Sequence, residues 1–344
     1  MRIAVIGTGY GEEHIVAFGA LPGVEVVAVA SASRDRAETI GDRHGIPVRA
    51  TDYAEALAVD RLDAVCIATP PDLHREIALA AFERGCHVLS EKPLGISAAD
   101  CEAMLDAASR SGLVHAVNYD WRPVPNFTRL HALLASGWIG EVQSVRLTWL
   151  APWEADAPLG WRHQRARCGM GVLGDQSHLL DELLWNLGPL RRIAADLRTV
   201  VPERRDRAGV LRRCDAEDVA AFVAVTQSGV QVIGQCSRCA GGPGYRLAEY
   251  EGSAGSLKLH MPDPSDRDRS TLVGRRRGKG EVGLSEPAPA AESAQARFVR
   301  AIRDGIEPTT TFADGLAVVR ITDAMQASSE TGRWVAVGED ERSG

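Results

Sequence analysis

Four short apolar runs in the first third of the chain each end in small or turn-forming residues. They are RIAVIG (Arg2 to Gly7), VEVVAVAS (ending at Ser31), LDAVCIATPP (from Leu62) and CHVLSEKP (ending at Pro93). Such runs suit strands buried on both faces, and helical stretches separate them. Repeated strand–helix units of this kind build a doubly wound parallel sheet, so the expected class is α/β. Ligands of such sheets lie at the C-terminal strand ends. That rule gathers Gly7–Gly11, Ser31, Thr69-Pro70-Pro71 and Glu91-Lys92-Pro93 around one crevice.

The first strand runs directly into GTGYGEEH and a following helix. Strand, glycine turn and helix N-terminus in that order aim backbone N–H groups at a pyrophosphate, which makes Gly7, Thr8, Gly9, Tyr10 and Gly11 the expected dinucleotide cradle. The G-x-G-x-G spacing is tighter than the usual G-x-G-x-x-G. The tip of the second strand indicates which dinucleotide. An acidic residue there would accept from the ribose 2′-hydroxyl and repel a 2′-phosphate, but this chain has SASR, with neutral Ser31, Ser33 and cationic Arg34. NADP(H) is therefore favoured, and neighbouring Asp35 keeps NAD(H) as the alternative. Thr69, Pro70, His74, Glu91, Lys92 and Pro93 complete the expected cofactor set.

Lys92 stands out against composition. The chain has 39 Lys and Arg residues, and only Lys92, Lys258 and Lys279 are lysine. An ammonium can adjust its pKa and place a compact donor on one oxygen, which a guanidinium cannot. The chain is 344 residues long, enough for two domains, and a division into 1–120 and 121–344 is expected. A net charge of −7 speaks against nucleic acid as a partner, and the one basic run, Arg275 to Lys279, reads as a solvated loop. Seven scattered cysteines suit a reducing cytoplasm, and Cys236 with Cys239 lacks the second pair that a structural metal would need. No metal and no membrane partner are expected.

The chain resembles the Gfo/Idh/MocA oxidoreductases. The likeness rests on GTGYGEEH, ATPPDLH and SEKPLG and continues through GWIGEV (137–142), GVLGDQSHLLDELLW (171–185), YEGSAGSLKL (250–259) and FADGLAVVRITDAMQASSETGRWV (312–335). It implies an N-terminal Rossmann domain and a C-terminal α+β domain on a large, mostly antiparallel sheet whose open face packs against another subunit. It also implies hydride transfer between a nicotinamide cofactor and a secondary alcohol or ketone of a sugar or cyclitol. Carried onto this chain, Lys92 stabilises the alkoxide, His178 is the base, and Asp175 orients His178 or holds a substrate hydroxyl. Asp181 supports the same face. The DQSH spacing is one residue shorter than the family usually has, but i,i+3 still falls on one helical face. Asn118, Tyr119, Arg122, Trp153, Trp161 and Arg162 are the further candidate substrate contacts, with His163 beside them. The resemblance also predicts a cis Lys92–Pro93 peptide.

Residues 198–218 and 260–293 are charged and rich in Pro and Gly, as surface loops or hairpins are. Two other functions fit the same motifs. One is NAD-dependent oxidation and elimination at a glycosidic carbon, which retained cofactor would favour. The other is a non-catalytic dinucleotide sensor, which the joint presence of Lys92, Asp175 and His178 disfavours.

Overall fold

In the computed structural model, which describes residues 1–285 and 292–338, the first apolar runs pair as expected. Strands β1 (Arg2–Ile6), β2 (Glu25–Ala30), β3 (Val48–Ala50), β4 (Ala64–Ile67), β5 (His87–Ser90) and β6 (His115–Val117) form one sheet. The order is β3-β2-β1-β4-β5-β6, and every pairing is parallel. All four residues of β4 are buried, the continuous burial that helices on both faces impose. Strand order reverses between β1 and β4, so the crevice of a doubly wound sheet opens there.

The intervening helices carry their own stop and start signals. Ser33, Asp52 and Ser97 cap the helices Arg34–His44, Tyr53–Leu57 and Ala98–Ser111 through their side chains, and Gly45 and Gly112 end the first and last of these in left-handed conformation.

This unit is not closed by the first 120 residues alone. Phe298 and Val299, from the helix Ala294–Asp304, are buried in one core with Ile3, Val5, Ile15, Phe18 and Leu89. Phe312 packs edge-on to Phe82 at 6.0 Å. The unit therefore comprises Met1–Tyr119 and Glu292–Val319, which corrects the expected single division at residue 120. The returning segment had no strand or glycine signature to announce which sheet it would cover.

The second unit, residues 120–285 and 320–338 as described, is built on nine strands. They are β7 (Val142–Leu150), β8 (Leu190–Arg198), β11 (Val219–Thr226), β12 (Gln231–Ser237), β13 (Tyr245–Gly252), β14 (Gly255–Met261), β15 (Thr271–Arg276), β16 (Glu281–Gly283) and β17 (Val335–Ala336). Only β7 and β12 pair in parallel, so the sheet is mostly antiparallel. On β11 and β12 burial alternates residue by residue, the signature of a sheet with one covered and one open face. Gly234 on β12 is required by its neighbour, because a Cβ there would lie 1.9 Å from the Phe222 ring.

Residues 198–218 contain the hairpin of β9 (Glu203–Arg205) and β10 (Leu211–Arg213), as expected. The 260–293 stretch likewise contains a hairpin, of β15 and β16, which also extends the large sheet through the pairing of β15 with β14; residues 286–291 lie outside the described part. Arg275 and Arg276 accordingly end β15 rather than lying in a loop. Among the described residues no helix is long and apolar enough to cross a membrane.

Candidate active site

In the N-terminal unit the strand ends form the expected row. Beyond each strand the ladder runs one residue further: Gly7 N–H donates to Ala30 O (2.9 Å), Ala68 N–H to Ile6 O (2.7 Å), Glu91 N–H to Ile67 O (2.8 Å) and Asn118 N–H to Ser90 O (2.8 Å). Gly7 has φ of +104°, and a Cβ there would lie 2.2 Å from Ala68 O, so only glycine makes this turn. A Cβ on Gly9 would meet nothing within 4 Å, so open space lies over the turn. Gly11 begins the helix Gly11–Gly19 and packs close to Val5, where a Cβ would be at 3.2 Å. The tight spacing thus keeps the three glycine roles: turn, open approach and helix–strand contact. Tyr10 precedes the helix without a side-chain cap, and its carbonyl accepts from Glu13 N–H at 3.1 Å.

The tip of β2 differs in detail from expectation. Ser31 is buried and shares a 2.8 Å hydrogen bond with Thr8 Oγ1. Ser33 caps the next helix, accepting from Arg36 N–H at 3.4 Å, and donates its own N–H to Ser31 Oγ at 3.3 Å. Arg34, expected to supply the charge beside a 2′-phosphate, instead donates to Arg49 O at 2.9 Å. The guanidinium turned toward the glycine loop is that of Arg36, which donates to Thr8 O at 2.6 Å. Sequence reading passed over Arg36 because it looked like an ordinary residue of the helix's first turn.

His74 and Glu91 are committed within the protein rather than presented to a ligand. His74 is fully buried, with Nε2 2.9 Å from Thr69 O and Nδ1 3.2 Å from Leu94 O, so it ties the loop after β4 to the loop after β5. Burial pushes its pKa down, against the two carbonyls, which favour the charged form. Glu91 accepts from His14 Nε2 (2.9 Å), Asn118 Nδ2 (2.6 Å) and the Lys92 N–H (3.1 Å). Burial alone would raise this carboxyl, but the His14 hydrogen bond and the charges of His14 and Lys92 hold it below the usual range. Lys92 is half-buried at the end of β5, and the Lys92–Pro93 peptide is cis, as expected. Two acceptors in this row are buried without a partner: Asn118 Oδ1 and Thr69 Oγ1. A glycine cradle, an uncapped helix start and orphaned acceptors at adjacent strand ends fit a dinucleotide, which Gly7 to Gly11, Ser31, Thr69, Lys92 and Asn118 would hold.

In the second unit the expected Asp–His helix is broken. Val172–Asp175 forms one short helix and His178–Leu187 another, with Gln176 and Ser177 between, so Asp175 and His178 do not share a continuous helical face. The i,i+3 argument assumed an unbroken helix. Asp175 is held by Arg162 Nε (3.1 Å) and by the fully buried Arg238 Nη1 (3.1 Å). Arg238 also donates through Nε to Asp218 Oδ1 at 3.0 Å, a buried charge balanced by two carboxylates. The carboxylate facing His178 is Asp120, with Oδ1 3.7 Å from Nε2, and Arg267 pairs with the other Asp120 oxygen. The His178 ring lies flat on Trp121 (4.7 Å, 2° between planes), and Trp121 stacks on Trp149 at 4.6 Å.

The helix His178–Leu187 is anchored by its next turn. Asp181 and Arg122, both expected near substrate, are buried and turned to each other in a two-pronged pair at 2.6 and 3.1 Å. Glu182 pairs with buried Arg246, whose guanidinium lies over the rings of Trp121, Phe127 and Trp149. Buried arginines such as Arg238 and Arg246 carry no sequence mark that separates them from surface cations. His163 is also internal, with Nε2 2.9 Å from Glu154 and Nδ1 accepting from Gly160 N–H. Trp153 is 41% exposed, Trp161 carries the Arg162 guanidinium at 4.2 Å, and Tyr119 is fully buried. Cysteine nucleophiles are not part of this arrangement: burial raises the Cys168 and Cys236 thiols to about 12.

Comparison with known proteins agrees with this architecture. Residues 1–119 match the oxidoreductase family with an NAD-binding Rossmann fold, and residues 127–258 match the Gfo/Idh/MocA C-terminal domain. Levoglucosan dehydrogenase of Pseudarthrobacter phenanthrenivorans is 28% identical over 98% of both chains. A solved levoglucosan dehydrogenase complex with NADH and levoglucosan superposes with a TM-score of 0.88 at 28% identity, covering 98% of this chain and 100% of that one. D-xylose 1-dehydrogenase (NADP(+)) 2 of Haloferax volcanii is 28% identical over 97% of this chain and 99% of its own. With both domains matched in order, the chain belongs to the Gfo/Idh/MocA family of oxidoreductases.

Proposed function

We propose that the chain is a cytoplasmic dehydrogenase that oxidises a secondary alcohol of a sugar or cyclitol to the ketone, or runs the reverse reaction, with NADP(H) preferred over NAD(H). The observation that carries the reading is Lys92 at the end of β5, beside the orphaned acceptors and the glycine cradle of a dinucleotide fold. When bound, the nicotinamide supplies the hydride acceptor. The protein's part is to move the hydroxyl proton and to stabilise charge on oxygen. His178 takes that proton, a role suited to an imidazole near neutral pH. Lys92 donates to the oxygen as negative charge develops, which is preorganised electrostatic stabilisation. The Asp120 carboxylate, 3.7 Å from Nε2, sets negative charge beside the His178 ring in place of Asp175, and the stack on Trp121 orients the ring. Asp175 is a support for Arg162 and Arg238.

The preference for NADP(H) rests on neutral Ser31 at the tip of β2 and on the Arg36 guanidinium beside Thr8. Trp153 and Trp161 offer aromatic faces to a sugar ring. The open face of the large sheet exposes Val223 and Ile233 (41% and 52%), which supports a homo-oligomer formed through that face. Turnover with aldoses, keto-sugars and cyclitols, measured with NADP and with NAD, tests the reading. Net elimination that leaves the cofactor bound and unchanged would favour the glycosidic alternative, and tight cofactor binding with no turnover would favour a sensor.

A further inference from the structure

We infer that His14 and Glu91 form a positioning pair that sets the Asn118 amide and the Lys92 backbone for the nicotinamide end of the cofactor. This rests on the dinucleotide reading above.

The geometry is a closed set of bonds within the N-terminal unit. His14 lies in the helix that follows the glycine turn and is completely buried. Its Nε2 meets Glu91 Oε1 at 2.9 Å, its Nδ1 lies 2.6 Å from the Gln295 amide, and Tyr10 of the glycine turn packs edge-on at 5.5 Å. Glu91 then spends one oxygen on His14 and Asn118 and the other on the Lys92 N–H. One carboxylate thereby links the phosphate-binding helix, the end of β5 and the end of β6.

The consequence for Asn118 is directional. A carboxylate cannot accept from the carbonyl end of an amide, so Asn118 must turn Nδ2 to Glu91 at 2.6 Å. That leaves Oδ1 as a fixed acceptor, buried and without a partner among the described residues. A buried acceptor held this way by a second residue is built for a donor on a ligand, and the carboxamide or ribose hydroxyl of a nicotinamide nucleoside supplies one. Without the Glu91 charge, nothing would prevent the amide from turning over.

Charge keeps the pair in register. Burial disfavours the His14 imidazolium, yet the neighbouring Cys66 thiol and the Glu91 carboxylate raise its pKa well above the ordinary value. The groups facing this ion pair are Cys66 on β4, Lys92 after β5, Tyr10 on the turn and Gln295 on the returning helix. The imidazolium requires Gln295 to present its amide oxygen to Nδ1, an assignment that exchanges the two amide atoms.

The test compares two ligands by calorimetric titration of the full chain, without turnover. One is the whole dinucleotide; the other is ADP-ribose or its 2′-phosphate, which lacks nicotinamide. Glu91→Gln should weaken the dinucleotide about tenfold, the weight of one good hydrogen bond, and leave the ADP-ribose ligand within about twofold. Asn118→Ala leaves no buried charge unpaired and should show the same split, which keeps the inference testable if Glu91→Gln fails to fold. In proton NMR the His14 ring should titrate above the ordinary imidazole value in the native chain and lower in Glu91→Gln. Equal weakening of both ligands, or dinucleotide affinity unchanged in Asn118→Ala, would overturn the inference. A native chain that bound neither ligand would overturn the dinucleotide reading and the inference with it.

Discussion

Asp120 Oδ1 lies 3.7 Å from Nε2 of His178, while Asp175, three residues from that histidine in sequence, is held by Arg162 and Arg238. The two carboxylates should therefore fail differently when neutralised. Asp120→Asn is expected to lower kcat by about ten- to a hundredfold with little change in melting temperature, because it removes the negative charge beside the proposed base. Asp175→Asn leaves buried Arg238 short of one partner and should act mainly on stability, by about 1–3 kcal/mol. Steady-state kinetics and thermal melts of both variants check this; equal kinetic losses would return Asp175 to the role the sequence suggested.

Lys92→Arg should be nearly as damaging as Lys92→Ala. Arginine keeps the charge but brings a larger planar head into a place suited to one ammonium, and a shift of about 1 Å can cost on the order of a hundredfold in rate. With the cofactor phosphates proposed to sit at Gly7 to Gly11, binding should survive in both. A Lys92→Arg enzyme with near-native kcat would show that only the charge matters.

Much of this was legible in sequence, and the failures share a physical cause. The parallel sheet announced itself because strands buried on both faces leave unbroken apolar runs between turn residues, as in Ala64–Ile67. Gly7 and Lys92 were legible because few residue types can do what their positions require. Tertiary partners were not. Arg34 and Arg36 are equivalent on the page, and only the helix start decides that Arg36 reaches Thr8. Asp120, Arg238 and Arg246 bear ordinary charges in ordinary segments, and the burial of the two arginines follows from a sheet whose strands lie far apart in the chain. The Gln176–Ser177 break could not be read because DQSH keeps helical spacing on either side.

The proposed cofactor preference rests on Ser31 and Arg36. Ser31→Asp should shift the ratio of kcat/KM for NADP over NAD toward NAD by tenfold or more, since a carboxylate would accept from the 2′-hydroxyl and repel a 2′-phosphate. Arg36→Ala should weaken NADP about fivefold and leave NAD nearly unchanged. If both substitutions leave the ratio where it was, the tip of β2 does not select the cofactor.

Acid should loosen the cofactor unit through His74. Its pKa in the folded chain lies below the ordinary imidazole value of about 6.5, because burial outweighs its carbonyl partners. The stability it contributes is complete above that pH and is lost as pH falls through it toward the lower folded value, where protons favour the unfolded chain. Melting temperature should thus decline below about pH 6.5, and His74→Gln should flatten that part of the curve. A His74→Gln protein with the native pH dependence would remove His74 as the cause.

Lys92 and His178 are proposed to serve one redox reaction on a secondary alcohol. The most direct measurement is cofactor reduction against ketone formation on a responsive sugar or cyclitol, in the native chain and in Lys92→Ala and His178→Ala. The native enzyme should give one reduced cofactor per ketone, and each variant should lose on the order of a hundredfold or more, with cofactor affinity kept. Undiminished turnover in either variant, or product formed by elimination with no net reduced cofactor, would contradict that shared role.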